Sequence, residues 1–277
     1  MRKQRVVLLV AVAACSSTSR LPRAPHGEPV LEVKGHVKGG PFRLGEADLA
    51  GLPRRTVRGE DPLTGQAGAW EGTALAPLVS GRVKLTRGAD TVVVHTAGGQ
   101  AIAIPLTIVR QLRPVLADRA DGAALQERVL AWPNLEQRGI QSDPRAPRWW
   151  ARDVRALELV NGWTYGRSLA APDGAPQTAR LGADLFSARC AACHQIRKAG
   201  GASGPELTRV ADRMQEQAFA AMLTRHPGWA GRQAELPGPD AATEVWDYLR
   251  AVAADAANPR DELPEKDPAM ERAERRR

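Results

Sequence analysis

Two cysteines and a histidine stand together at Cys190-Ala191-Ala192-Cys193-His194. Two thiols separated by two residues and followed at once by an imidazole form the attachment signature of c-type haem. The thiols add to the two vinyl groups of the porphyrin, and His194 is placed to reach the iron. The chain holds three cysteines, and the third, Cys15, has a separate reading below. No thiol is left for a disulfide or a four-sulfur metal site. A zinc or thioredoxin-like use of the cysteine pair is the competing reading. Zinc needs two more ligands, and the next histidine along the chain is His226.

The elements around this signature must present it. Leu181, Leu185 and Phe186 recur at helical spacing just before the cysteines, which predicts a helix running into them. Gly182-x-x-x-Phe186-x-x-x-Cys190-x-x-Cys193-His194 resembles the opening helix of the class I-like monohaem cytochromes c. Gly204-Pro205-x-Leu207 follows at a suitable distance, and Thr243 to Ala254, with Tyr248-Leu249, resembles the closing helix. The resemblance covers about 178–255. It implies that the Pro205 carbonyl accepts a hydrogen bond from the proximal imidazole, an outer partner that fixes the ring. It also implies that the closing helix crosses the opening one, with Gly182 permitting close approach to Trp246 or Tyr248.

The second axial ligand departs from that pattern. The family supplies methionine from a Met-Pro pair, whereas this chain has Leu236-Pro237 there. Met214 and Met222 lie in the preceding stretch, where Phe219, Met222 and Leu223 form an apolar face that reads as core packing. His226, in His226-Pro227, opens the next loop. Three outcomes stay open: His226 binds, Met222 binds, or the iron is five-coordinate and open to a small ligand. Axial ligand identity is a main lever on haem potential and reactivity.

Residues 30–163 differ in texture. Leu31 to Val37 alternates as a strand, Gly39-Gly40-Pro41 reads as a turn, and Glu46–Leu52 as a short helix. Thr91–His95 and Ala101–Ile104 flank Gly98-Gly99 as a hairpin, and Arg152–Val160 alternates as a last strand. The order Leu44–Pro53, Trp70-Glu71-Gly72-Thr73-Ala74-Leu75, Gly98-Gly99-Gln100, Leu116–Arg119, Leu130–Pro133 and Arg148-Trp149-Trp150 resembles the molybdopterin-binding domain of the sulfite-oxidase type. Active members of that family bind molybdenum through a cysteine of this domain. Residues 31–165 contain none, and their histidines, His36 and His95, each fall in a predicted strand. The expectation is a scaffold without molybdenum, with molybdopterin not an expected cofactor; a groove for a pterin, a small ligand or a partner protein stays open, since a fold does not carry its function along.

Arg2, Lys3 and Arg5 precede an apolar run from Val6 to Ala14, a charged n-region and a short h-region. A bilayer-spanning helix needs about 20 apolar residues. Val12-Ala13-Ala14-Cys15 resembles a bacterial lipobox, which implies cleavage before Cys15 and lipidation of that residue. Ser16, which is not acidic, leans towards the outer membrane. The formal charge is +8, which falls to about +5 without the leader. No basic stripe interleaved with aromatics is present, so nucleic acid is not an expected partner.

The sequence therefore predicts an α+β chain. Residues 1–14 are a lipoprotein signal, 15–29 a tether, and 30–163 a β-rich, sulfite-oxidase-like domain. Residues 164–177 are a linker, 178–256 a small all-α cytochrome c domain, and 257–277 a disordered charged tail. The expected role is electron transfer rather than enzymatic turnover, by a periplasmic lipid-anchored cytochrome with one haem that serves a redox protein or respiratory enzyme. The alternatives are a haem sensor with an open distal site and the haem part of a molybdopterin oxidoreductase.

Overall fold

A computed structural model describes residues 25–80, 84–140, 146–226 and 240–256. The signal segment with Cys15, most of the tether, Leu236-Pro237 and the charged tail lie outside the described residues. The chain is mixed α+β, a β-rich region followed by a helical one.

The β-rich region runs β1 (Leu31–Gly35), β2 (Phe42–Leu44), α1 (Glu46–Ala50), β3 (Arg54–Glu60), β4 (Ala67–Ala74), α2 (Leu75–Ser80), β5 (Thr91–Thr96), β6 (Ala101–Pro105), α3 (Leu106–Leu112), β7 (Val115–Ala120), β8 (Ala123–Ala131), β9 (Ala151–Arg152) and β10 (Val154–Val160). One sheet has the order β2-β1-β10-β5-β6, the other β3-β4-β7-β8-β9. Only the β1–β10 pairing is parallel among the ladders of these sheets. β3 alternates, with Val57 buried between exposed Thr56 and Arg58, as a strand with one face on the core does. In β5 the run from Thr91 to Val94 is buried throughout, the pattern of a strand covered on both faces.

Four tryptophans pin the core beside the second sheet. Trp70 meets Trp150 edge-on at 5.3 Å, and Trp132 meets Trp149 at 5.1 Å. The ring N–H of Trp70 donates to the Gly59 carbonyl at 3.1 Å and that of Trp132 to the Trp149 carbonyl at 2.8 Å. These bonds let two large amphipathic rings be fully buried without an orphaned donor.

Two expectations about the junction between the regions need correction. The sequence predicts one strand over Arg152–Val160, but Asp153 has φ 51° and divides it. β9 belongs to the second sheet and β10 to the first. Aspartate tolerates this left-handed geometry better than most residues, and the chain uses it to change sheets. The predicted linker 164–177 is also not a plain linker, because α4 (Gly162–Leu169) occupies its first half. The Asn161 side chain caps it by accepting from the Thr164 N–H at 3.0 Å, and Leu169 and Tyr165 pack into the helical region's core.

That region continues with α5 (Gln177–Arg189), β11 (Gln195–Ile196), β12 (Ala199–Gly200), α6 (Glu216–Leu223) and α7 (Ala241–Ala256). α5 and α7 cross at Gly182, where an added Cβ would lie 1.9 Å from the Glu244 carbonyl oxygen and 2.9 Å from Tyr248 Cβ. Close contact continues in Phe186 against Tyr248 at 5.4 Å and Phe219 against Trp246 at 5.4 Å. The Tyr248 hydroxyl donates to the Leu169 carbonyl at 2.7 Å, tying α7 to the end of α4. Leu181, one of the apolar residues at helical spacing, is 41% exposed; the face that packs is Ala179, Gly182, Ala183 and Phe186. Among the described residues no helix is long and apolar enough to cross a membrane.

Candidate haem site

α5 delivers the signature directly. Its last turn hands over through Cys190 N–H to the Phe186 carbonyl, 2.8 Å, and the motif then curls on itself. Both Cys193 and His194 donate their N–H groups to the Cys190 carbonyl at 2.9 Å. This turn brings both sulfurs and the imidazole to one cavity of about 480 Å³. Its walls are largely apolar, with Phe186, Leu207, Val210, Phe219, Leu223 and Leu249 prominent.

The His194 ring is held from behind. Nδ1 lies 2.9 Å from the Pro205 carbonyl oxygen. A carbonyl only accepts, so Nδ1 carries the proton and Nε2 keeps its lone pair for a metal. Gly204 lies against the ring, and a Cβ there would fall 2.3 Å from His194 Cε1. Gly200, at φ +108°, lets the following loop pass over the motif, where a Cβ would fall 2.2 Å from the His194 carbonyl oxygen. The loop is further fixed by Gly204 N–H donating to the Cys193 carbonyl at 2.8 Å.

The surrounding protein pushes the Cys190 thiol up to about 12 by burial. A thiolate is disfavoured there, whereas a neutral thioether is not. Neither motif cysteine is in a disulfide, and among the described residues no three His, Cys, Asp or Glu side chains are grouped to hold a metal ion. The donor set therefore fits a covalently attached haem and does not fit a protein-ligated zinc. Two thiols, one oriented imidazole and apolar walls converge on a single space.

Both distal candidates from the sequence border this cavity. His226 places its ring centre 5.6 Å from that of His194, at an interplanar angle of 48°. Burial and the neighbouring His194 hold its pKa below the usual histidine value. Met222 is not the core residue the apolar pattern implied. It is 38% exposed on α6, while Phe219 and Leu223 on the same helix are buried. Met214 packs partly buried against the helical core and also lines the cavity.

His36 and His95 stand apart from this cluster. His95, on β5, bonds Glu158 at 2.7 Å, and that contact holds the Glu158 carboxyl below its ordinary range. His36 lies just past the end of β1 rather than within it. Sequence reasoning named Gln100 only within the Gly98-Gly99-Gln100 resemblance and did not place it at the haem motif, where its side-chain nitrogen lies 3.9 Å from Cys193 Sγ. The hairpin signal at Gly98-Gly99 marked its turn, but nothing local indicated what the turn would touch.

Fold and site together define a cytochrome c haem-attachment domain. Residues 179–261 match the family model of cytochrome c, so this part of the chain is a cytochrome c domain and implies a covalently bound haem c. Among solved structures, the sulfane dehydrogenase SoxCD from Paracoccus pantotrophus is similar at 19% identity with a TM-score of 0.37. That likeness covers 47% of this chain and 38% of that one, so the chain spans well under half of that structure, and at this level it carries no argument. No curated protein matches the chain.

Proposed function

We propose that this protein is an exported c-type cytochrome that passes single electrons through one haem, tethered by Cys190 and Cys193 and ligated by His194. The observation that carries this reading is the oriented proximal imidazole. Its Nδ1 is spent on the Pro205 carbonyl at 2.9 Å, while Nε2 is left for the cavity that both sulfurs also border. A haem bound there supplies a one-electron couple between ferric and ferrous iron. The chain's own part is to hold the ring, exclude water with apolar walls, and set the potential through the axial ligands.

His226 is the proposed sixth ligand. Its ring borders the same cavity as that of His194 and stands 5.6 Å from it, centre to centre, so the two imidazoles would hold the iron together. The purified protein is expected to give a low-spin ferrous spectrum that carbon monoxide leaves unchanged. His226→Ala should turn high-spin and bind carbon monoxide, whereas Met222→Leu should keep the wild-type spectrum. The reverse pattern in the two variants would assign Met222 as the ligand. A wild-type protein that is high-spin and binds carbon monoxide would favour ligand sensing over electron transfer.

The export signal, cleavage before Cys15, lipid anchoring and a periplasmic location, with the outer membrane preferred, belong to the same proposal. They rest on Arg2, Lys3, Arg5, the apolar run and the lipobox-like Val12-Ala13-Ala14-Cys15. The β-rich region, with its resemblance to the sulfite-oxidase type, is proposed as a scaffold without molybdenum that docks a redox partner. The reason is the lack of any cysteine in residues 31–165. Metal analysis of the haem-loaded protein tests this, and stoichiometric molybdenum would overturn it.

A further inference from the structure

The turn joining β5 to β6 does not end in solvent. Ala101 donates its N–H to the Ala192 carbonyl at 2.9 Å, and Ala202 donates its N–H to the Gly99 carbonyl at 2.7 Å. The Gln100 amide nitrogen reaches Cys193 Sγ at 3.9 Å. Ala192, between the two motif cysteines, packs against the core of the β-rich region. Gly99 makes this approach feasible. It has φ +81°, and a Cβ on it would fall 2.9 Å from the Ser203 nitrogen. From the other side, Gly201 leaves no room either, since its Cβ would fall 2.0 Å from the Ala192 carbonyl oxygen and 2.9 Å from that of Gly99. The Tyr165 hydroxyl adds a contact by accepting from the Gly200 N–H at 3.1 Å. The haem-bearing loop is thus hydrogen-bonded to the edge of the neighbouring sheet from within the motif, at Ala192, and beyond it, at Ala202.

We infer that the turn Gly98–Ala101 is a latch by which the β-rich region sets the haem's redox potential, with Gln100 acting as a positioning residue through the Cys193 sulfur. The inference rests on the haem assignment above. A donor at the thioether sulfur withdraws electron density from the attached ring and favours the form that has gained one electron. Sulfur is a weak acceptor, so the effect of this one contact is modest, while the two backbone bonds fix where the loop sits. Hydrogen bonding around a metal centre is one of the levers a protein has on potential.

The test is redox titration of haem-loaded wild type, Gln100→Leu and Gly99→Val, with amide hydrogen exchange on each. Gln100→Leu should keep its haem content, melting temperature and exchange pattern. Its ferrous-to-ferric equilibrium should fall about threefold, which is about 28 mV at 59 mV per tenfold. Gly99→Val should lower the potential further and lose exchange protection at the Ala101 and Ala202 amides. If Gly99→Val does not fold, the Gln100→Leu titration decides alone. Wild-type potentials in haem-loaded Gln100→Leu would overturn the inference and leave the haem assignment standing. Absence of covalent haem in the wild type would instead overturn that assignment.

Discussion

Substituting alanine for Gly182 is expected to lower the stability of the haem domain by about 3 kcal/mol or more, although only one methyl group is added. Overpacking a core costs about 1–3 kcal/mol when side chains can shift. Here the obstacle is the Glu244 carbonyl, 1.9 Å from the new Cβ and part of α7's own backbone. The helices must separate, and separation loosens Phe186 against Tyr248 and the Tyr248 bond to Leu169. A domain of 60–100 residues loses about 4–8 °C of melting temperature per kcal/mol, so a drop of roughly 12–25 °C is expected. Thermal melts followed by far-ultraviolet circular dichroism and by the haem band measure it. A melting temperature within a few degrees of wild type would mean that α5 and α7 do not cross this closely.

The second large effect is chemical. The double variant Cys190→Ala, Cys193→Ala is expected to lose covalent haem entirely. Any haem that remains would be held by His194 and the apolar walls, and acidified organic solvent would extract it. Wild-type haem should stay with the polypeptide under the same treatment. The argument rests on the shared cavity, which both sulfurs border together with His194. Polypeptide-bound haem after acid extraction of the double variant would overturn the assignment. The single variants are expected to retain one thioether each, with a shifted absorption band that reports the remaining vinyl group.

What could be read in the sequence followed from how local each signal was. The haem motif, the helix before it and the helix after it were legible because each carries its own pattern over a few turns. The phase of the first helix was read less well. The spacing of Leu181, Leu185 and Phe186 marked the helix, but the face that packs includes Ala179, Gly182 and Ala183, because α7 approaches closely enough that only small residues fit. α4 was hidden by its composition. Gly162 and Gly166 are poor helix formers, and the helix stands on the Asn161 cap and on packing by Tyr165 and Leu169.

The second sheet was equally hard to read. β4 is Ala-Gly-Ala-Trp-Glu-Gly-Thr-Ala, with few strand-favouring residues. Gly72 is required where Leu116 passes, since a Cβ would fall 2.0 Å from the Leu116 carbonyl oxygen. Such close approach is set by the partner strand and leaves no periodic trace. At the site, the Pro205 contact was legible from the resemblance and is present in the structure. The Met222 packing inferred from its neighbours did not survive, because α6 turns Phe219 and Leu223 inward and leaves Met222 at the cavity border. Gln100 lies 93 residues from Cys193 in sequence, and only the folded chain relates them.

The position of β10 in its sheet bears on how far the two halves can be taken apart. β10 is the central strand, flanked by β1 and β5, so a chain cut anywhere before Val160 loses the middle of the first sheet. Beyond Val160 the chain enters α4 almost at once, and there Leu169 already belongs to the haem side's core while Tyr165 bonds the haem loop. A protease or a gene fusion point would find no stretch between residues 160 and 170 that both sides can spare. The two architectures are joined so closely that exchanging the haem half for another would disturb the sheet beside it.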